Sequence, residues 1–312
     1  MKKGVLIYNP VAGRRPSGRV REVRKAAAVL RRAGLEIELA ATSRPDMAHE
    51  LAQGAVANGA EVIFACGGDG TINEVINGMA MSRVPLGILP GGTANILAHE
   101  LRLPLNPVRA ARQFPRWTPR RIALGRARWT EAQPGPVGNG PGPLACCRYY
   151  TSVAGIGYDA HVVHELSSWL KYKLGVTGYV LEALRQWVSY PFPRFSLRLD
   201  ERERLATFTV IHRTRLYAGW LHLAPTADLF QPHFAVCSFP SRNRLRFLLY
   251  ALAVLARQHL RLRDVSLDEC AQVVCTPVDG CAPVRFELDG ELAGTAPATF
   301  EIAADALTVL VP

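Results

Sequence analysis

Apolar positions along the first third of the chain switch repeatedly between two periods. Val5 to Tyr8 is a short apolar run closed by Asn9-Pro10. From Arg19 to Ala33 the spacing becomes helical, with Val20, Val23, Ala27 and Leu30 on one face. Leu35 to Ala41 alternates as a strand does. Asp46 to Asn58 reads as a helix with Asp46 at its N-cap and Gly59 beyond its end. Val62 to Cys66 is a buried strand, and Ile72, Val75, Ile76 and Met79 place a helix over Thr71 to Ala80. Leu86 to Leu89 is a further short strand, followed by a helix from about Ala94 to Leu101. Alternation of this kind predicts a doubly wound α/β domain, a parallel sheet with helices on both faces.

Beyond about Arg120 the texture is different. Phe195–Leu199, Thr207–His212, Phe234–Phe239, Gln272–Thr276, Arg285–Leu288 and Leu307–Val311 read as strands separated by turn chemistry, so the second domain is expected to be mainly β. Two helical patterns interrupt them, Leu166 to Val188 and Arg244 to His259. Leu245 to Ala256 is apolar on nearly all sides and reads as a buried core helix. Trp169, Tyr172, Tyr179 and Trp187 are expected to serve core packing too. The Gly/Pro-rich stretch Pro134 to Pro143 reads as a loop inserted between two strands.

The first domain carries three candidate loops, each directly after a strand: Asn9 to Arg15, Gly67 to Thr71 and Gly91 to Asn95. Glycines let backbone approach an anion closely, and the N-terminus of the following helix offers unpaired N–H groups to phosphate. Asp69 repels phosphate, so its presence implies a divalent cation or an oriented water beside the phosphates, unless it only caps its helix. No GxxxxGK[ST] run occurs, and the position that would complete GxGxxG after Gly68 and Gly70 is Asn73.

Taken together, NPVAG, GGDGTINEVING and LPGGTAN, in this order, resemble the diacylglycerol kinase catalytic domain family of bacterial lipid kinases, related to the sphingosine and ceramide kinases. The likeness continues through TSVAGIGYDA, YAGWLHLAPTA and FELDGE, nearly the whole chain. It implies a nucleotide-binding α/β domain over residues 1–122, a β-sandwich over 123–300 and a last segment, 301–312, returning to the first domain. It implies an active site in the cleft between the domains. It places ATP against Asn9, Thr42, Gly68, Asp69, Gly70, Thr71, Ile72, Asn73, Glu74, Thr93 and Asn95, with Mg²⁺ accompanying the nucleotide. It implies transfer of the γ-phosphate to a lipid hydroxyl, diacylglycerol first, with sphingoid bases, ceramide, monoacylglycerol or another lipid alcohol open. The general base implied is Asp289 or Glu291. From residues alone, Asp289-Gly290 between alternating apolar positions reads first as a hairpin turn, as does Asp279-Gly280. The family's structural-metal Asp falls on Gln231, a weaker ligand for a hard cation, with Asp228 out of place. A kinase of NAD or of a soluble alcohol, and an inactive nucleotide- or lipid-sensing protein, are the competing readings.

Charge adds a partner. The net charge is +11, and basic runs occur at Arg14, Arg15, Arg19, Arg21, Arg24, Lys25, Arg31 and Arg32, and at Arg112, Arg116, Arg120, Arg121, Arg126 and Arg128. Trp117 and Trp129 interleave the second run. These suit an anionic membrane surface; no nucleic-acid reader motif is present. Without a secretory leader or a spanning segment, and with seven cysteines lacking any CxxC, the expectation is a cytoplasmic protein with reduced thiols, associated peripherally with membrane, in which a homodimer is allowed.

Overall fold

The computed structural model describes residues 2–13, 16–131, 144–165, 176–217, 221–278, 280 and 282–312. The expected loop Pro134–Pro143, Arg14, Arg15, Trp169, Tyr172, the start of the helix expected from Leu166, Asp279 and Cys281 lie outside them, as does the Tyr179 side chain. The chain forms two units. One comprises Met1–Leu124, Leu229–Gln231 and Ala303–Pro312, the other Gly125–Asp228 and Pro232–Ile302.

In the first unit the elements run β1 (Lys3–Tyr8), α1 (Pro16–Arg32), β2 (Glu36–Ala41), α2 (Met47–Ala57), β3 (Val62–Gly67), α3 (Asp69–Met79), β4 (Pro85–Pro90), α4 (Ile96–Glu100), α5 (Pro107–Gln113) and the start of β5 (Thr118–Glu131). The parallel order is β2-β1-β3-β4, with the chain turning back on itself at β1 and β3. Helix α1 packs with α5, and α2 with α3. β3 is buried at every position, as a strand covered on both faces must be.

One helix start differs from expectation. Asp46 adopts the left-handed conformation and makes no side-chain cap. Glu74 of α3 does that work instead, its Oε2 accepting the Ala48 N–H at 3.1 Å. The two helices approach so closely that a Cβ on Gly78 would lie 2.2 Å from the His49 carbonyl oxygen. Backbone cannot yield as a flexible side chain does, so Gly78→Ala should destabilise the first unit by about 1–3 kcal/mol. Chemical denaturation would check this; an unchanged midpoint would contradict the packing.

The second unit is a β-sandwich. Its elements are β6 (Leu144–Tyr150), β7 (Val153–Gly157), α6 (Tyr158–Glu165), α7 (Val176–Ser189), β8 (Phe195–Leu199), β9 (Arg202–Ala206), β10 (Phe208–His212), β11 (Leu216–Tyr217), β12 (Leu221–His222), β13 (Phe234–Phe239), α8 (Arg244–Leu255), β14 (Ser266–Cys270), β15 (Gln272–Pro277), β16 (Arg285–Leu288), β17 (Glu291–Thr295) and the start of β18 (Ala298–Val311). One antiparallel sheet has the order β14-β13-β10-β7-β16-β17; the other is built from β9, β8, β15 and β18, with β5 on β18 and β6 on β5. Tyr150, Phe195, Phe234, Phe286 and Phe300 fill the core. β13 shows why its sequence, FAVCSF, does not alternate in polarity. Phe234 and Val236 face that core, while Cys237 and Phe239 face a second cluster with Phe247 and Tyr250 of α8.

Two expectations from the sequence need correction here. The helix Arg244–Leu255 is not buried all round: Phe247, Tyr250 and Ala253 are buried, but Leu245, Leu248, Leu249, Leu252 and Leu255 are exposed. One sheet can cover only one face of a helix, and nothing among the described residues covers the other. Nor do the two tryptophans of the second basic run face outward as interfacial residues. Trp117 is buried against Phe114, and Trp129 packs edge-on to Phe286, because both alternate onto inward positions of β5 and its approach.

Among the described residues no helix is long and apolar enough to cross a membrane. Six described cysteines are free thiols; burial pushes Cys66 and Cys237 up to about 12, which removes Cys66 as a nucleophile.

Candidate functional site

In the first unit, three loops leave the C-terminal ends of adjacent strands β1, β3 and β4, at the point where the strand order reverses. That is where open parallel sheets bind ligands. The loops are built against one another. Gly91 donates its N–H to the Gly67 carbonyl at 2.8 Å, and a Cβ on Gly92 would stand 2.5 Å from the Gly68 Cα. Arg19, almost fully buried, donates from Nη2 to the Gly91 carbonyl and from Nε to the Ala12 carbonyl, joining the first loop to the third. The sequence places this arginine in a basic surface run; it is instead an internal tie.

Asp69 is the second tie. It opens α3, yet its carboxylate does not cap that helix. Oδ2 accepts the Asn95 N–H at 2.9 Å and Oδ1 the Ile96 N–H at 2.7 Å, so it caps the start of α4 in the neighbouring loop. Burial pushes its carboxyl up and these two N–H bonds pull it back, with the net direction upward. Asn95, left-handed at φ 49, closes its own loop: Oδ1 accepts from Gly92 N at 2.8 Å and Nδ2 donates to the Gly92 carbonyl at 3.0 Å.

The other expected nucleotide contacts distribute around this frame. Gly68 caps α3 in extended conformation without a side chain, leaving the first-turn N–H groups of α3 free of a capping side chain. Gly70 is half-buried and Thr93 exposed, as ligand-facing positions would be. Asn9 shapes the first loop, its Oδ1 accepting Val11 N–H at 3.0 Å. Thr42 is buried at the end of β2. Thr71, Ile72 and Asn73 are buried in α3, and Glu74 caps α2.

In the second unit, β16 and β17 are joined by a two-residue turn, Asp289 at φ 51 and Gly290 at φ 84, the hairpin that Asp-Gly favours. The turn also aims the Asp289 carboxylate into consecutive backbone N–H groups. Oδ2 accepts from Thr151 N at 2.8 Å and Thr151 Oγ1 at 3.1 Å; Oδ1 accepts from Ser152 N at 2.8 Å and Val153 N at 3.0 Å. Burial still moves its carboxyl above the usual range, against these bonds. The residue as a whole, backbone included, is half-buried. Glu291, the other candidate base, is 43% exposed and ion-paired with Arg148.

Behind the turn stands a group that the motifs alone do not assign. Glu287 Oε1 accepts the Gly155 N–H at 2.8 Å and Oε2 accepts the N–H of Gly290. A Cβ on Gly155 would lie 2.1 Å from Asp159 Oδ2 and 2.7 Å from Glu287 Oε1, so two buried carboxyls converge there; Tyr217 donates its hydroxyl to Asp159 Oδ1 at 2.6 Å. Burial, then the charge of Asp159, push the Glu287 carboxyl well above its ordinary 4.5. A raised carboxyl contributes stability at low pH and loses it as pH rises toward its folded value. Glu287→Gln should therefore lower the melting temperature most near pH 5, with the deficit narrowing toward pH 8. A deficit independent of pH would mean that Glu287 folds already ionised.

The model of the diacylglycerol kinase catalytic domain matches residues 3–127, and that of the YegS C-terminal NAD kinase beta sandwich-like domain matches residues 152–311. The chain belongs to the diacylglycerol kinase catalytic domain family. It is 28% identical over 310 residues to a diacylglycerol kinase of Bacillus subtilis, across 96% of this chain and 93% of that one. It is also 28% identical over 315 residues to one of Mycobacterium tuberculosis, across 99% and 95%. A solved diacylglycerol kinase from Bacillus anthracis superposes with a TM-score of 0.73, covering 100% of this chain and 97% of that one; at 20% identity this speaks to fold alone. Membership of the diacylglycerol kinase family makes this chain an enzyme, a kinase that phosphorylates an alcohol.

In this family member Gln231 is exposed, and its neighbour Phe230 lies under the Arg120 guanidinium at 3.8 Å from the ring centre. Among the described residues no three His, Cys, Asp or Glu side chains converge to hold a metal.

Proposed function

We propose that the chain transfers the γ-phosphate of ATP to the hydroxyl of a membrane lipid, diacylglycerol first, with Asp289 as general base. The observation that carries this reading is the placement of Asp289. Its carboxylate is fixed by four hydrogen bonds, and burial raises it above the ordinary carboxyl, which makes it the stronger base for a hydroxyl proton. Glu291 fits the role less well, because Arg148 already neutralises it.

The first unit supports the nucleotide half. Three backbone loops around the α3 N-terminus offer N–H groups to phosphate oxygens, and Arg19 and Asp69 hold the loops together. Among the described residues of these loops, Asp69 is the one carboxylate that could serve Mg²⁺. Its oxygens retain lone pairs beyond the two N–H bonds, so Asp69 would hold an ion carried in on the nucleotide. Such an ion would neutralise charge on the phosphate oxygens. The residues' own contribution is to orient the phosphates by backbone N–H and to receive the lipid proton at Asp289.

Labelled ATP, Mg²⁺ and mixed micelles of diacylglycerol, sphingosine, ceramide or a bacterial lipid extract would test the reading. The expected product is a labelled phosphatidic acid. Label in a sphingoid product would replace the acceptor, and NADP formed from NAD in a parallel assay, without any labelled lipid, would replace the whole proposal.

A further inference from the structure

Helix α8 presents two faces of unlike use. Phe247, Tyr250 and Ala253 are buried against the sheet, and Trp187 donates its indole N–H to the Arg244 carbonyl at 3.2 Å. The opposite stripe, Leu245, Leu248, Leu249, Leu252 and Leu255, follows helical spacing and is between 39% and 75% exposed. Leu260, just beyond the helix, adds to it at 40%. An exposed apolar stripe of this length is unusual on a folded domain and marks an interaction surface.

The surroundings of the stripe say what it meets. From Arg242 to Arg263 the chain contains six arginines and no Asp or Glu. Arg244, Arg257, Arg261 and Arg263 are exposed at the ends of the stripe, while Arg246 is held by Asp264, which also takes the Tyr250 hydroxyl. Asn243 caps the helix, its Oδ1 accepting from Leu245 N at 2.9 Å and Arg246 N at 3.2 Å. The helix is thus fixed on the body by its polar and aromatic side, with leucines outward and cations at both ends. Two copies stacked through this face would bring arginine ends together. An acidic lipid leaflet complements both features, leucines to the acyl boundary and arginines to the headgroups.

We infer that α8 is the membrane-docking element of this protein: its leucine face lies in the headgroup layer of an anionic bilayer, held there by the flanking arginines. This deepens the lipid-kinase reading, on which its purpose rests, but the binding itself needs no turnover.

The test is flotation of the full-length protein with phosphatidylcholine vesicles, with and without phosphatidylglycerol. It compares wild type, Leu248→Asn/Leu252→Asn and Arg257→Gln/Arg261→Gln. The melting temperature and its rise on adding ATP confirm that each variant is folded. The expected result is binding that requires phosphatidylglycerol and weakens about tenfold or more in the leucine variant. The arginine variant should bind about tenfold less tightly at low salt and lose most of its salt dependence. Wild type that fails to float, or a folded leucine variant that floats as well as wild type, overturns the inference. So does a wild-type dimer on gel filtration that the leucine variant converts to monomer, since a second copy would then cover the face. Vesicle binding through α8 without phosphorylation of any lipid would sink the proposed function and leave this inference standing. Lipid phosphorylation with unchanged vesicle binding in the leucine variant would do the reverse.

Discussion

Asp289→Asn should slow phosphoryl transfer by about 10²–10⁴-fold while the KM for ATP stays near that of wild type. That loss corresponds to about 2.7–5.4 kcal/mol of transition-state stabilisation. The reasoning has two parts. An amide cannot accept the lipid proton. Its NH₂ also cannot accept the backbone N–H bonds that one carboxylate oxygen takes, so a stability loss of about 1–3 kcal/mol accompanies the rate loss. The two effects separate when initial rates are measured well below the variant's own melting temperature. Glu291→Gln is the comparison. It breaks a half-exposed ion pair with Arg148 and should change the rate only a few-fold. If Glu291→Gln loses activity and Asp289→Asn keeps it, the base has been assigned to the wrong member of the pair.

Asp69→Ala should abolish the stabilisation that ATP gives to the protein. Removing this carboxylate strands the N–H groups of Asn95 and Ile96, each worth about 1–3 kcal/mol when left unsatisfied, and leaves the third loop tied to the second only through Gly91 and Gly67 among the bonds described. Gly92→Ala reaches the same end by another route, since its Cβ would meet the Gly68 backbone at 2.5 Å and push the loops apart. Both variants should lose the nucleotide-dependent rise in melting temperature, and binding titrations should show a weakening of 100-fold or more, about 2.7 kcal/mol. Wild-type ATP affinity in both would mean that the nucleotide does not sit on these loops.

The sequence made the first four strands, several of the later ones and the glycine loops legible, because period, length and turn chemistry are local properties, while β5, β6, β7, β9, β14 and β17 could not be bounded from it. Phe195–Leu199 and Phe234–Phe239 could be bounded from apolar runs and their flanking turns alone. What stayed hidden depended on a partner distant in the chain. Asp69 looks like a cap for its own helix until Asn95 and Ile96 are seen beside it. Arg19 sits among seven other basic residues, and only burial against Ala12 and Gly91 sets it apart. Asp46 has the right residue type for a cap, but Glu74, arriving from the next helix, satisfies the same end of α2. Glu287 and Asp159 lie inside the quoted runs FELDGE and GIGYDA, yet their pairing requires β7 and β16 to be neighbours. The one available signal was an acid at a strand position otherwise filled by apolar residues. For α8, composition could not show that only one face would be covered.

Strand β18 has a consequence for how the protein is made. Its first residues pair with β15, while Thr308 and Val309 lie parallel to Pro85 and Leu86 of β4. The first unit therefore receives its last strand only after the whole β-sandwich has been translated. At roughly 5–20 residues per second the apolar edge of β4 waits tens of seconds on the ribosome without its neighbour. During that interval it is an open strand edge of the kind that recruits other chains. Yield in cells should thus depend on chaperone supply and translation speed more than the stability of the finished enzyme would suggest.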